Sequence, residues 1–372
     1  MSTYIYQIKE WPAFEWEQDK LTGLLSEVRF MQGKLMGRME ALGFPLQEEA
    51  GLQTLTMDVL KSSEIEGEFL NADEVRSSIA RKLGMDIGGL VASDRNVDGV
   101  VEMMLDATQQ YKKKITAGRL FKWHSSLFPG GRSGSYKIVT GAWRKNAKDD
   151  PMQVISGAMG KEKIHFQAPD SERLADEMKA FCKWFNSGST MDPVMKAAVA
   201  HLWFITIHPF DDGNGRIARA ITDMQLSRAD ENHQRFYSMS AQIRKERNTY
   251  YDMLEHTQQN TLNITKWLQW FLQCLQRALV STNATLEMVM NKAAFWEKHA
   301  ATIFNNRQLM MLHKLLDGID GKLSSSKWAK MAKCSSDTAV RDINDLLEKK
   351  VLVKEDAGGR STGYLLRTKS DN

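Results

Sequence analysis

At 372 residues the chain can hold two or three domains, each large enough for its own core. A composition of 42% hydrophobic and 26% charged residues is that of a soluble globular protein, and no stretch is apolar for long enough to span a bilayer. The net charge of +4 is matched by residues 321–372 alone, which carry 11 basic and 7 acidic side chains, so residues 1–320 balance to zero.

Only seven prolines and few β-rich runs predict a mainly α fold. Met1 to Lys20 mixes polar and aromatic residues and is not a signal peptide. Cys182, Cys274 and Cys334 are odd in number and far apart, with no metal or disulfide spacing, which suits a reducing cytoplasm. Residues 1–90 read as a helical domain with apolar residues at three- and four-residue intervals, such as Leu21, Leu24, Leu25 and Val28. The Trp11 to Trp16 stretch is expected to pack this domain or join it to the next. Residues 91–290 form the central domain. In it, Met152 to Ser156 and Lys163 to Gln167 predict two strands, with Gly157 to Gly160 as the turn. Trp267, Trp270 and Phe271 sit at helical spacing and read as core.

The run His208-Pro209-Phe210-Asp211-Asp212-Gly213-Asn214-Gly215-Arg216-Ile217-Ala218-Arg219 follows an apolar segment, Ala197 to Ile207, and enters a helix-like one, Ile217 to Leu226. It therefore forms a loop feeding a helix N-terminus, where unpaired N–H groups and the dipole attract phosphate. Gly213 and Gly215 let the backbone bend and let phosphate approach. Asn214 can add a side-chain amide donor. Arg216 and Arg219, three apart, share a helix face and can grip phosphate oxygens. Asp212 can hold Mg²⁺, which binds through one or two carboxylates plus phosphate oxygens. His208 is a base suited to taking a hydroxyl proton near pH 7. Taken singly, His208 could be a helix C-cap and Asp212 an N-cap.

These residues match the signature His-Pro-Phe-x-Asp-Gly-Asn-Gly-Arg-x-x-Arg at every fixed position, so the chain resembles the Fic (Fido) family. The resemblance implies a helical Fic core with a β-hairpin flap and an enzyme that moves AMP from ATP onto a target protein's Tyr, Thr or Ser hydroxyl. It implies His208 as general base and Asp212 as the Mg²⁺ ligand. Gly213, Asn214 and Gly215 become the anion cradle, Arg216 and Arg219 hold the outer phosphates, and Phe210 anchors the loop. Upstream, Ser62-Ser63-Glu64-Ile65-Glu66-Gly67 matches the family's inhibitory pattern, with Ser62, Glu66 and Gly67 at its fixed positions. The resemblance implies that Glu66 pairs with Arg219 and turns ATP into a non-productive pose. The hairpin at 152–167 resembles the flap that registers targets by strand addition. Gly141-Ala142-Trp143-Arg144 resembles a core element without a catalytic role, and His124 reads as structural. A homodimer is plausible from the family.

Residues 291–372 read as a winged-helix-like domain. Ser325 to Ala332 and Ser336 to Lys349 predict two helices, and Val351 to Glu355 with Gly363 to Arg367 a hairpin around Gly358-Gly359. Thr338, Arg341 and Asn344 would share one face of the second helix, with Arg360 on the wing. Such a unit contacts either DNA or protein. Asp337, Asp342 and Asp345 dilute its charge. Three alternatives to AMP transfer remain open on the residues: a DNA-binding regulator with a ligand-sensing Fic domain, transfer of another phosphate-containing group, and removal of AMP through Glu66.

Overall fold

The structure, a computed structural model, describes residues 3–147, 149–157, 161, 163–188, 190–259, 261–355 and 362–367. In chain order the elements are α1 (Gln18–Glu40), α2 (Phe44–Ile65), α3 (Ala72–Leu83), α4 (Arg95–Gln109), α5 (Ala117–Leu127), β1 (Arg132–Ser133), β2 (Tyr136–Lys137), β3 (Gln153–Ser156), β4 (Lys163–Gln167), α6 (Leu174–Asn186), α7 (Pro193–Ile207), α8 (Asn214–Ala229), α9 (Met239–Lys245), α10 (Arg247–Thr257), α11 (Thr265–Lys298), α12 (Asn306–Asp317), α13 (Ser325–Met331), α14 (Ser336–Glu348), β5 (Leu352–Lys354) and β6 (Tyr364–Leu366). The fold is mainly helical, as expected. The chain divides into two compact units, Met1–Leu83 with Ala92–Asn283, and Gly84–Val91 with Ala284–Asn372.

At the centre of the first unit α7 and α8 pack side by side. Residues Val194 to Ile207 of α7 are all buried, because a helix apolar on every side has no face to offer water. It starts cleanly, with Pro193 in the first turn and the Asp192 carboxylate accepting the Val194 N–H. One polar group inside it is fully satisfied. The His201 Nδ1–H donates to Thr222, whose own hydroxyl is donated to Ala218, and Nε2 accepts from the Tyr250 hydroxyl. Burial pushes this imidazole down to about 3, so it is neutral. Trp267, Trp270 and Phe271 are buried, as the spacing predicts. Trp11 donates to Glu177 of α6 at 2.9 Å and meets the Trp203 ring edge-on, so the N-terminal segment packs against α6 and α7.

Strands β3 and β4 pair antiparallel, Gln153 opposite Gln167, with a bulge after Val154. The predicted strand begins one residue earlier, at Met152. Positions 158–160 of the expected turn lie outside the described residues, as do Gly358, Gly359 and Arg360.

In the second unit α12, α13, α14 and the β5–β6 hairpin enclose Met311, Leu312, Trp328, Ile343 and Leu346. Asn305, Ser324 and Ser335 cap the three helices through backbone N–H groups. Asp342, one of the three acids that dilute the domain's charge, is buried and holds the Arg307 guanidinium and the Asn305 amide. Asp345 accepts from Gln308 and Lys349.

Candidate active site

Helix α7 ends at His208, whose backbone is left-handed (φ 51, ψ 58) and whose N–H caps the Phe204 carbonyl. The C-cap role and a chemical role thus fall on one residue. Nδ1 lies 3.2 Å from the Ile205 carbonyl oxygen. A carbonyl only accepts, so Nδ1 carries the hydrogen and Nε2 keeps its lone pair. Burial pushes the imidazole from 6.5 down to about 4, so it is neutral through the physiological range.

The next five residues are held from every side. Arg144, 2% exposed, donates Nε to the His208 carbonyl at 2.7 Å and its backbone N–H to the Pro209 carbonyl at 3.0 Å. The Gly141 N–H donates to His124 Nδ1, so His124 Nε2 carries the proton and donates to the Asp212 carbonyl at 3.1 Å. The His124 ring also stacks on Phe210 at 4.2 Å, and burial lowers it to about 4. Phe210 is fully buried, as an anchor should be. Asn214 exchanges two hydrogen bonds with the Phe210 backbone, at 2.8 and 3.0 Å. Its side-chain amide, expected to face an anion, is therefore spent on closing the loop, and only its backbone N–H faces the helix end.

Gly213, not Asp212, is the N-cap of α8, because the chain enters the helix through a left-handed φ of 80°. The first α8 N–H groups, of Asn214, Gly215 and Arg216, have no partner within the helix. The Asp212 carboxylate is 42% exposed at this end. It accepts from the Ser133 hydroxyl and from the Gly213 N–H, one bond to each oxygen. Each oxygen retains a lone pair, which suits a single-carboxylate Mg²⁺ site completed by phosphate and water. No cluster of three or more metal-binding side chains occurs among the described residues.

The two arginines point back over the helix end and both are buried. Arg219 donates Nε to the Ser62 hydroxyl and Nη2 to the Ser62 carbonyl and to Glu66, each at 2.8 Å. Ser62 and Glu66 thus share a helix face, as their spacing requires. Glu66 caps α2, and Gly67 follows with φ 85. The Gly67 N–H returns to the Glu64 carbonyl and the Glu68 N–H to the Ser63 carbonyl, the Schellman pattern that a left-handed glycine permits. The Glu66 carboxylate lies directly against Gly215, where a Cβ would come within 2.1 Å of its oxygen. An anionic group therefore already occupies the α8 N-terminus.

Four contributors were assigned no part by the sequence: Arg144, Glu68, Arg247 and Tyr251. Glu68 pairs with Arg216 at 2.5 Å. Arg247 donates to the Ile65 carbonyl at 2.7 Å, and Tyr251 sits beside Glu66. His208, Glu66, Gly215 and Tyr251 open onto a cleft of roughly 480 Å³, closed on another side by Val154 to Ser156 of the β3–β4 hairpin.

Residues 114–226 match the Fic/DOC family. Over these residues the chain is similar to Fic domains. Residues 4–85 match a separate family described as a domain of unknown function, DUF4172. The protein adenylyltransferase Fic of Drosophila yakuba is 34% identical over 219 residues, which are 58% of this chain and 39% of that protein. Protein adenylyltransferase fic-1 of Caenorhabditis elegans is 28% identical over 182 residues, 48% of this chain and 32% of that protein. The chain thus spans less than half the length of these relatives. A Fic family protein from Desulfovibrio desulfuricans G20 superposes with a TM-score of 0.53 at 19% identity, covering 94% of this chain and 96% of that one. A Fic domain containing signaling protein from Bacteroides thetaiotaomicron gives 0.50 at 19% identity, covering 72% and 96%. At these identities the two structures speak for the fold.

Proposed function

We propose that the Fic domain transfers AMP from ATP to a hydroxyl side chain of a target protein and that Glu66 restrains it. The observation that carries this reading is the His208 imidazole, neutral, with Nε2 free, placed at the entry to a helix N-terminus that already holds an anionic group against two buried arginines. The target oxygen attacks the α-phosphorus, the bond to pyrophosphate breaks, and His208 Nε2 takes the hydroxyl proton. The N–H groups of Asn214, Gly215 and Arg216 and the Arg216 and Arg219 guanidiniums bind the phosphates, while the Gly213 N–H, expected in the cradle, is held by the Asp212 carboxylate. Asp212 would hold Mg²⁺, which supplies charge neutralisation along the phosphates. Arg144 and His124 keep the loop in register, so little reorganisation is left for the reacting state.

With Glu66 on Arg219, a triphosphate loses one of its two buried cations and meets a carboxylate at the helix end, which supports an autoinhibited resting state. The β3–β4 hairpin, with Ile155 and Ile164 half exposed, suits a target segment added as a further strand. The adenylyltransferase names of the relatives support AMP as the group moved. The test uses the protein and its Glu66→Gly form with Mg²⁺ and α- or γ-labelled ATP, and His208→Ala as control. Label from the α-position alone, lost with His208→Ala, is the expected result. Label from the γ-position, or none with any target-rich extract, overturns the reading.

For the second unit, a winged helix that meets DNA through α14 is favoured over a purely acidic face by one observation. Asp342 is turned inward, leaving Arg341 and Asn344 exposed. Duplex binding by the whole chain that weakens with salt and with Arg341→Ala is expected. Salt-independent or absent binding leaves α14 as a protein-contact surface.

A further inference from the structure

Glu68 faces Arg216 much as Glu66 faces Arg219, and we infer that it is a second latch on the phosphate cradle. The inference rests on the reading of the α8 N-terminus as that cradle. The two carboxylates leave one turn on either side of Gly67, whose left-handed φ of 85° reverses the chain so that both return to α8. Glu68 Oε2 meets Arg216 Nη1 at 2.5 Å. The Arg216 guanidinium is otherwise weakly engaged. It lies over the Phe128 ring at 4.9 Å, its Nε makes no hydrogen bond to the described residues, and its Nη2 is 4.0 Å from Asp212. Its close charge partner is therefore Glu68.

The two pairs together cancel both cations that a triphosphate would use. Glu66 guards one arginine from within the cleft, and its side chain is 30% exposed. Glu68 guards the other from the rim, at 45%. Two consequences separate this arrangement from a single glutamate. Removing Glu66 alone leaves the cradle half closed, since Arg216 keeps its partner. Fraying the last turn of α2 through Gly67, by contrast, releases both arginines at once, because Glu66 caps that turn and Glu68 is tied to it through the Ser63 carbonyl. A half-exposed pair of this kind is screened by salt and is worth a modest factor in affinity.

The test measures dissociation constants for ATP with Mg²⁺, and for inorganic tripolyphosphate, by calorimetry. The proteins are Glu66→Gly, Glu68→Gln and Glu66→Gly/Glu68→Gln. The double variant should bind tripolyphosphate about two- to fivefold more tightly than Glu66→Gly, and the gain should shrink at high salt. Equal affinities for tripolyphosphate overturn the second latch, whatever the nucleotide results. Should Glu66→Gly bind no ATP while tripolyphosphate still discriminates the two variants, the latch stands and the nucleotide reading falls.

Discussion

Gly67→Ala isolates the turn from the glutamates it carries. Gly67 has φ 85, and a Cβ there would meet nothing within 4 Å. The substitution therefore adds no clash, and its whole cost is conformational, on the order of 1 kcal/mol for a left-handed alanine. Two hydrogen bonds depend on that conformation, Gly67 N–H to Glu64 and Glu68 N–H to Ser63. If the turn opens locally while α2 stays docked, a shift of about 1 kcal/mol raises the open population about fivefold. Self-labelling from α-labelled ATP should rise by about the same factor while both glutamates remain. Hydrogen exchange at residues 67 and 68 should accelerate alongside it, and the melting transition should barely move. Faster exchange with unchanged labelling would refute the reasoning, because the turn would then be loosened without consequence for the cradle.

Three further outcomes follow from the same geometry. In the Glu66→Gly background kcat/KM should stay level from pH 7 down to about 5, because His208 sits at about 4, and losing Glu66, which raises it, moves the limb lower still; a limb near 6.5 would contradict the buried imidazole. His124 and His201, at about 4 and about 3, refuse protons that the unfolded chain accepts below 6.5, so their stabilisation is complete above 6.5 and is lost as pH falls toward 4, by about 1.4 kcal/mol per pH unit for each, checked by urea unfolding at pH 7.5 and 5. Arg144→Lys keeps the charge but not the fork that spans the His208 and Pro169 carbonyls, so labelling by the Glu66→Gly form should slow about 10- to 100-fold with ATP affinity nearly unchanged, and an equal loss in both would show that the cradle itself had collapsed.

The helical fold and the loop were legible because each rests on local chemistry. An apolar helix, a stop at His208 and two glycines before a new helix are written in adjacent residues. What stayed hidden depends on contacts distant in the chain. Arg144 lies 64 residues from the carbonyl it holds, and nothing in its surroundings shows that its fork points at the loop. Glu68 fills no motif position in the sequence, and only the reversal at Gly67 sends it back to Arg216. Asn214 matched its motif but not its expected use. A side chain that can donate to an anion can equally close a turn, and spacing alone does not separate the two. The burial of Asp342 stayed hidden for the same reason, since helical position does not reveal that α12 begins beside it.

How the proposed Glu66 and Glu68 latches would open depends on how strongly the middle and the end of α2 are held. At its middle α2 carries Asp58, fully buried and raised well above the usual carboxylate range by burial and by the neighbouring Asp223. Asp58 accepts the Ser238 hydroxyl, while Asp223 of α8 holds Arg235 through two bonds of 2.9 Å. Pulling α2 away would break the Asp58–Ser238 hydrogen bond and uncover the buried side chains of Leu52, Leu55 and Val59, at about 1.5–3 kcal/mol for each side chain exposed. At its end, Glu66 and Glu68 sit on an exposed turn, so each carboxylate can swing straight into water, and Arg219 keeps both of its bonds to Ser62 when it does. On the proposed latch reading, a target or effector would meet this easier step first. On the proposed reading, Glu68 would swing about Gly67 and Glu66 would follow as the last turn of α2 frays, with the rest of α2 still packed on α8 and α9 and the core intact.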